Sequence, residues 1–231
     1  MRDVQAVSLG GNETLIIASD NSGGIGQKKE DIVHVPYDVV AYFNFRVAAM
    51  ETIAAGAEPF SVVIQNFCGE SAWEEITSGV KRGLTELGLR NVGLTGSTET
   101  NFTLEQSALG LVVLGKRKGE EPSHLGEKLA VIGSPLVGDE VLHRSNEIIP
   151  LSLFQRLAKM KDVTIFPVGS KGILYEVNEL LGKSVQTVDT EVDVYKSAGP
   201  STCIAISFPS FLEREIMIVA GELYHSINYF T

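Results

Sequence analysis

Short apolar runs alternate with helical periodicity in the first half of the chain. The apolar run 15–18 passes straight into the polar, glycine-rich segment 19–29, and this pattern predicts a buried strand followed by a loop. From Asp38, a candidate N-cap, apolar residues recur every three or four positions and predict a helix that ends near Gly56. The same reasoning predicts strands over 60–64, 91–95 and 108–114, and a second helix that opens with a capping box at Ser71 and closes at Gly88.

A change in amino-acid composition at 116–123 separates the two halves of the chain. This segment is charged and contains Gly and Pro, so we expect one domain over 1–118 and another over 124–231. The second half predicts strands over 128–132, 163–167 and 202–208, and helices from Pro150 to Met160 and from Ser170 to Leu181. The segment 215–230 shows no clear pattern. This order predicts an α+β (mixed α/β) fold rather than a doubly wound sheet.

Composition narrows the class of protein. The chain has 231 residues, 44% of them hydrophobic, and its 19 Lys and Arg against 29 Asp and Glu give a net charge of −10. An acidic chain without a basic stripe predicts no nucleic-acid partner and no membrane partner. There is no signal-like or membrane-spanning apolar run, so we expect a cytoplasmic protein whose Cys68 and Cys203 are buried and reduced. No Gly-x-Ser-x-Gly or His-Glu-x-x-His motif occurs, which argues against hydrolase and zinc chemistry.

The glycine-rich segment is the strongest candidate for chemistry. Its three glycines, Gly23, Gly24 and Gly26, allow a close approach of the backbone to a ligand, and Lys28 or Lys29 can neutralise phosphate oxygens. The segment matches neither GxxxxGK[ST] nor GxGxxG, so a flexible hairpin is an equally good interpretation.

Carboxylates on two other segments support a magnesium and phosphate site. Glu51 lies on the first predicted helix with small residues beside it, although a solvated surface glutamate is the simpler alternative. Glu99 lies in a Gly/Ser/Thr segment directly after a predicted strand, where a simple turn is the alternative. Mg²⁺ is typically bound by one or two carboxylates together with phosphate oxygens, so the combination is more informative than either segment alone.

Taken in order, these segments resemble the aminoimidazole ribonucleotide synthetase-related (PurM-like) superfamily. The resemblance is carried by 2–7, 18–20 with the glycine loop, 47–59, 94–99 and 108–112. The helix that ends in Gly-Ala-Glu-Pro at 56–59 is its most specific part. The first half resembles the family well and the second half only loosely.

The resemblance implies a PurM-like N-terminal domain that dimerises, so that strands of both chains close a β-barrel, and a shortened α/β C-terminal domain. It also implies that ATP binds with Mg²⁺ near the dimer interface. On this resemblance the segment 96–99 corresponds to a Gly-Gly-Asp/Glu-Thr loop of the family, with Ser97 in place of the second glycine and the acid at Thr98 or displaced to Glu99. The candidate residues are Asp20, Glu51 and Lys28 for catalysis, Asp20, Glu51 and Glu99 for metal binding, and Asp3, Asn21, Gly23, Gly24, Gly26, Lys29, Gly96, Ser97 and Thr98 for ATP binding.

Differences among family members suggest the activity. The chain lacks the reactive residue near the N-terminus that selenophosphate synthetases carry and the terminal cysteine of hydrogenase-maturation relatives, and it is shorter than the cyclising synthetase and thiamine-monophosphate kinase. The resemblance therefore implies a compact small-molecule kinase, with α-ribazole kinase, which phosphorylates a nucleoside 5′-hydroxyl in cobamide salvage, as the best match. An ATP-dependent cyclising ligase and a non-catalytic dimeric nucleotide-binding module are the alternatives.

Overall fold

The chain folds into two compact units. The computed structural model describes residues 3–123 and 125–229. The N-terminal unit comprises Asp3–Glu121, and the C-terminal unit begins at Pro122.

The N-terminal unit is built on a five-stranded sheet. In chain order its elements are β1 (Gln5–Gly10), β2 (Glu13–Gly23), β3 (Ile25–Gly26), β4 (Val33–His34), α1 (Tyr37–Ala54), β5 (Glu58–Asn66), α2 (Trp73–Glu86), β6 (Gly93–Thr98) and β7 (Ala108–Lys118). The sheet order is β1-β2-β7-β5-β6, and β3 and β4 form a separate short parallel pair. Only β5 and β6 run parallel within the large sheet; its other neighbours are antiparallel.

One face of this sheet is covered by the two helices. Alternate residues of the central strands, such as Ile16, Val62 and Val113, are fully buried, as the two-residue period of a strand requires. The helices pack closely because Gly79 of α2 lies against the backbone of Asp38 in α1, where a Cβ would overlap the Asp38 carbonyl oxygen. This layer of helix and sheet forms the core of the unit.

The opposite face of the sheet has no covering element within the unit. Ile17 pairs with Leu114, and Val112 pairs with Val63, so these half-buried apolar side chains form a patch on that face. Val7 of β1 is exposed beside them. We call this side the open face. Both large sheets in the described part of the chain are open, and no closed barrel is seen; the barrel expected from the resemblance needs strands of a second chain.

The C-terminal unit contains a second, fully antiparallel sheet. Its elements are β8 (Lys128–Ile132), α3 (Glu140–His143), α4 (Leu151–Ala158), β9 (Thr164–Pro167), α5 (Ile173–Leu181), β10 (Val188–Asp189), β11 (Ile204–Phe208), α6 (Glu213–Ala220) and β12 (Tyr224–Tyr229), and the sheet order is β10-β12-β8-β11-β9. All of β11 is buried, which is typical of a strand covered on both faces. On one face Ile173 and Val177 of α5 pack with Val131 and Ala205.

Several predicted boundaries are wrong because pairing partners extend strands through polar residues. The strand predicted over 15–18 is the eleven-residue β2, so the segment 20–23 lies in a strand paired with β7 and not in a loop. The segment 96–98 likewise belongs to β6, beside β5. Residues 116–118, predicted as a linker, continue β7. The sequence pattern also missed β1, and the unassigned tail contains α6 and β12.

The predicted helix caps are also corrected. Pro36 occupies the N-cap position of α1, and Asp38 lies in its first turn. The Tyr37 backbone N–H instead donates to a carboxylate oxygen of Glu75, at 3.2 Å. Ser71 forms no capping box, because a short 3₁₀ turn over Glu70–Ala72 precedes α2.

Two further findings concern the whole described chain. Among the residues that the structure describes, no helix combines the length and the apolar character needed to cross a membrane. Cys68 and Cys203 are both buried, as predicted.

Candidate functional site

Four strand ends meet at one edge of the N-terminal sheet. Gly23 at the end of β2 pairs with Ala108 at the start of β7, and Asn66 at the end of β5 pairs with Leu109 and with Thr98 at the end of β6. The segments that follow or precede these strands therefore lie at the same edge, which we call the loop edge. Loops at a strand edge are where functional groups are commonly presented on a rigid scaffold.

Asp20 is a half-buried carboxylate on the helix-covered face near the loop edge. It alternates with the buried Ile16 and Ala18 along β2, which places it beneath α1. Burial raises the pKa of Asp20 to about 6, against the lowering effect of a hydrogen bond from the Asn21 backbone. A carboxylate in this setting is stabilised by a cation at neutral pH.

Asn44 connects α1 to the same part of the sheet. Its Nδ2 donates to the Ser22 hydroxyl and to the Leu109 carbonyl, each at 3.2 Å, and the side chain is buried. Asn44 therefore fixes the helix over the last residues of β2.

Glu51 and Asp20 lie at different levels of the helix-covered face. The next residue, Thr52, has its methyl group beneath the helix where a Cβ at Gly115 would sit, and Gly115 pairs with Ile16. Ile16 is four residues, or about 13 Å, from Asp20 along the strand. The register therefore places the backbone of Glu51 near Ile16 rather than beside Asp20.

Glu99 does not join these two carboxylates. Its Oε1 accepts hydrogen bonds from the backbone N–H groups of Asn101, at 2.6 Å, and Phe102, at 3.2 Å, so it caps its own turn. Within residues 3–123 and 125–229, no three His, Cys, Asp or Glu side chains are grouped closely enough to hold a metal ion. Asp20 and Glu51 with phosphate oxygens still fit the donor set that Mg²⁺ prefers.

The glycine segment is held firmly against the protein. Gly24 has φ +70° and donates to the Ser107 carbonyl at 2.8 Å. A Cβ at Gly26 would lie 2.5 Å from the Ser107 hydroxyl and 2.6 Å from the Tyr37 ring, so only glycine fits there. The flexible-hairpin interpretation is therefore wrong for this part of the segment.

Lys28 is committed to three backbone carbonyls. Its ammonium donates to Phe67, Leu104 and Gln106 at 3.1, 2.9 and 3.2 Å, which uses all three of its protons. We call this arrangement the Lys28 clamp. In this geometry Lys28 ties three loop segments together, whereas the neighbouring Lys29 has a side chain that is 94% exposed and only an adjacent Glu30 at 3.3 Å.

The predicted residues 96–98 lie three strands away from Asp20. Asp20, Leu111, Ile64 and Gly96 form one row across β2, β7, β5 and β6, and three strand spacings amount to about 14 Å. A Cβ at Gly96 would lie 2.9 Å from the Trp73 ring and overlap Ile64, so close packing accounts for this glycine.

The remaining predicted residues are distributed around the same edge. Thr98 accepts a hydrogen bond from Asn66 at 3.1 Å. Asn21, Gly23 and Ser97 are exposed along the sheet. Asp3 is exposed just before β1, which runs antiparallel to β2.

Sequence reasoning missed two buried organisers of the loop edge. Asn66 donates to the Gly69 carbonyl at 2.9 Å and accepts from the Cys68 N–H at 2.8 Å. Asp31 accepts from the Ser107 N–H and hydroxyl, at 2.6 and 2.7 Å, and from the Lys28 N–H at 2.8 Å. Neither residue stands in a recognisable motif, so only tertiary contacts reveal them.

Comparison with solved structures identifies the fold. PurL from T. maritima, solved with AMPPCP, matches 98% of this chain and 38% of its own, with a TM-score of 0.58 and 10% identity. Thiamine monophosphate kinase from Aquifex aeolicus matches 99% of this chain and 89% of its own, with a TM-score of 0.61 and 14% identity. The hydrogenase maturation protein HypE in complex with ATP matches 96% of this chain and 78% of its own, with a TM-score of 0.59 and 12% identity. The chain has the fold of these proteins.

The similarity of this chain to these proteins lies in the three-dimensional structure. No family model matches the sequence, and no curated protein matches it. The α+β architecture and the PurM-like fold expected from the sequence are confirmed. This chain spans 38% of the length of PurL but most of the thiamine monophosphate kinase.

Proposed function

We propose that this protein is an ATP- and magnesium-dependent phosphotransferase that acts on a small molecule bearing a hydroxyl group. The observation that carries the proposal is the half-buried Asp20, three residues before the end of β2, in a fold whose solved examples include complexes with AMPPCP and ATP. A carboxylate is a preferred ligand of the magnesium that accompanies a bound polyphosphate.

The chain's own residues would divide the work at the loop edge. Asp20 and Glu51 would hold Mg²⁺, which supplies charge neutralisation on the transferring phosphoryl group when it is bound. The exposed Lys29 would contact phosphates, while Lys28 keeps the loops in position. Backbone near Gly23 would approach the phosphates closely.

We propose α-ribazole as the acceptor, phosphorylated on its 5′-hydroxyl. This choice rests on the family resemblance of the sequence. The test is an assay of purified protein with ATP and Mg²⁺ that offers α-ribazole, thiamine monophosphate and common nucleosides, read by product mass. A gain of one phosphate on α-ribazole alone supports the proposal; phosphorylation of another acceptor replaces the substrate, and a ring-closed product replaces the reaction class.

One observation favours a second candidate, a nucleotide-binding module without catalysis. Lys28 and Glu99, both expected to serve the reaction, are engaged by the protein's own backbone. Binding of ATP without turnover of any acceptor would support this module over the kinase.

Replacing Asp20 tests the metal assignment. Asp20→Asn should reduce turnover at least a hundredfold, because the amide cannot supply a carboxylate oxygen to the metal. Its melting temperature should not fall, because a carboxylate with an unfavourable burial is removed. Turnover is measured with saturating ATP and Mg²⁺, and melting by circular dichroism.

Glu99→Gln is the matched control for this change. The substitution also removes one carboxylate near the loop edge, but from a side chain that caps its own turn. Its turnover should stay within a few-fold of the unmodified protein. Near-normal turnover in Asp20→Asn would refute the proposed metal ligand.

A further inference from the structure

The loop that connects β6 to β7 is an exposed segment of the loop edge. Its residues 100–106 all lie on the surface, and Phe102 is 76% exposed. Glu99 organises the first turn of this loop, because its carboxylate accepts the Asn101 and Phe102 N–H groups. These two bonds are local, so other contacts must hold the rest of the loop in place.

The glycine segment holds the second part of this loop. The Lys28 ammonium donates to the Leu104 and Gln106 carbonyls. The Gln106 side-chain amide donates to the Glu30 carbonyl at 2.7 Å. Within the described part of the chain, Leu104 is the one residue of 100–105 that forms a hydrogen bond to a residue outside the loop. Lys28 therefore provides the tie that holds the middle of the loop.

The Lys28 clamp holds a positive charge with neutral groups. Lys28 is half-buried, its three acceptors are backbone carbonyls, and among the described residues no carboxylate forms an ion pair with its ammonium. The nearby Asp31 carboxylate accepts the Lys28 backbone N–H instead. A carbonyl dipole attracts an ammonium less strongly than a full negative charge does. The Lys28 ammonium would therefore gain by moving to an anion within its reach.

Lys28 also lies in the segment that the proposed function gives to the phosphates. It follows Gly26 by two residues, at the same edge of the sheet as the end of β2. A lysine carries its charge on a flexible four-carbon stem, so its ammonium can exchange one set of acceptors for another without a change of the backbone. Phosphates bound along the glycine segment would compete with the three carbonyls for this ammonium.

We propose that Lys28 is a latch on the β6–β7 loop, and that a polyphosphate bound to the glycine segment opens it. In the structure the ammonium holds the loop through Leu104 and Gln106. A polyphosphate is the stronger acceptor and draws the ammonium away, so the loop is then held at its two ends and its middle can move. The inference rests on the proposed function and adds how binding of the nucleotide is coupled to a loop of the same site.

Limited proteolysis with chymotrypsin tests the latch. The protease cleaves after Phe102 in the loop and after Phe211, which is 75% exposed in the C-terminal unit and serves as an internal reference. The ligand is inorganic triphosphate with Mg²⁺, because it supplies phosphates but no base for the loop to cover. The ratio of cleavage after Phe102 to cleavage after Phe211 should rise about fivefold at saturating triphosphate, because proteolysis follows the population of the opened loop. Sodium chloride of equal ionic strength should leave the ratio unchanged.

Two lysine variants show whether Lys28 transmits the effect. Lys28→Met should give a high ratio without triphosphate, and adding triphosphate should not raise the ratio further. Lys81→Met, the same change at an exposed position on α2, is the matched control and should respond to triphosphate like the unmodified protein. A merely structural role of Lys28 gives the high ratio in Lys28→Met but no response to triphosphate in the unmodified protein. That response decides the matter by itself where circular dichroism shows that Lys28→Met is unfolded.

Binding measured in parallel by calorimetry separates this inference from the proposed function. If triphosphate binds while the cleavage ratio of the unmodified protein stays constant or falls, the latch is overturned and the phosphotransferase proposal stands. A rise of the ratio that persists in folded Lys28→Met also overturns the latch. Failure to bind either ATP or triphosphate refutes the proposed function itself, and the latch falls with it.

Discussion

Asp31 shows how one buried carboxylate can organise two loops. It accepts three hydrogen bonds, two from Ser107 and one from the Lys28 backbone, and Ser107 in turn contacts the Tyr37 hydroxyl at 3.0 Å. These bonds join the glycine segment to the residue before β7. The loop edge therefore owes its geometry to residues outside the predicted site.

Asp31→Asn should lower the free energy of unfolding by about 2 kcal/mol, because in either orientation its amide nitrogen would face a backbone N–H donor, of Lys28 or of Ser107. Urea unfolding at pH 7 measures the change. Glu30→Gln, at the adjacent and exposed position, is the control and should be nearly neutral. Equal stability of Asp31→Asn and the unmodified protein would contradict the role assigned to this carboxylate.

The contribution of Asp31 should also depend on pH. Burial raises the pKa of this carboxyl, but the hydrogen bonds from Ser107 and from the Lys28 backbone outweigh it, so the pKa lies below its ordinary value of 3.8. A carboxyl whose pKa is lower in the folded state than in the unfolded state stabilises the fold at pH values above the unfolded-state pKa. This stabilisation is lost as the pH falls through the folded-state pKa. The stability gap between the unmodified protein and Asp31→Asn should therefore shrink when unfolding is repeated at pH 3. A stability difference that is larger at pH 3 than at pH 7 would contradict the lowered pKa of Asp31.

Among the elements, β6 depends on a glycine for its close contact with β5 and α2. Gly96→Ala should cost about 1–3 kcal/mol, because the new methyl group overlaps Ile64 and lies 2.9 Å from the Trp73 ring. Gly93→Ala on the same strand meets nothing closer than 3.6 Å and should change stability by less than about 0.5 kcal/mol. Thermal unfolding of both variants measures the contrast, and equal effects would contradict it.

The elements whose hydrophobic pattern is locally complete could be predicted from the sequence. Helix α1, strands β5, β7 and β8, and the helix ended by Gly182, which has φ +61°, fall within a few residues of their predicted positions. Strand β1 has no buried residue to mark it, and the polar ends of β2 and β6 are strands only because neighbouring strands supply hydrogen-bond partners. Such tertiary pairing leaves no local signal.

The candidate site was less predictable than the fold. Asp20 could be found because it follows an apolar run and precedes glycines, but the spacing of residues along the chain says nothing about which faces they share. Alternation puts Asp20 and Asn21 on opposite sides of the sheet, and register puts Gly96 three strands from Asp20. The contacts of Lys28 involve residues far from it in sequence and could not be predicted.

For the whole molecule, the apolar part of the open face suggests a second copy as its cover, in line with the dimer expected from the family resemblance. We expect the protein to be a dimer at micromolar concentration. Val112→Lys should make it a monomer, because a charge would be buried in an apolar contact. Sedimentation velocity measures the change.

Ser78→Lys, at an exposed position on α2, is the control and should remain a dimer. A monomeric unmodified protein, or a Val112→Lys variant that stays dimeric, would contradict this role of the open face.

The Lys28 clamp has a consequence for the order of folding. Its three carbonyls belong to residues 39, 76 and 78 positions further along the chain. These carbonyls come within reach of Lys28 only when β7 lies between β2 and β5, so the clamp forms after those strands have paired. The loop edge should therefore be the last part of the N-terminal unit to become ordered during folding, and among the first to open in the native state.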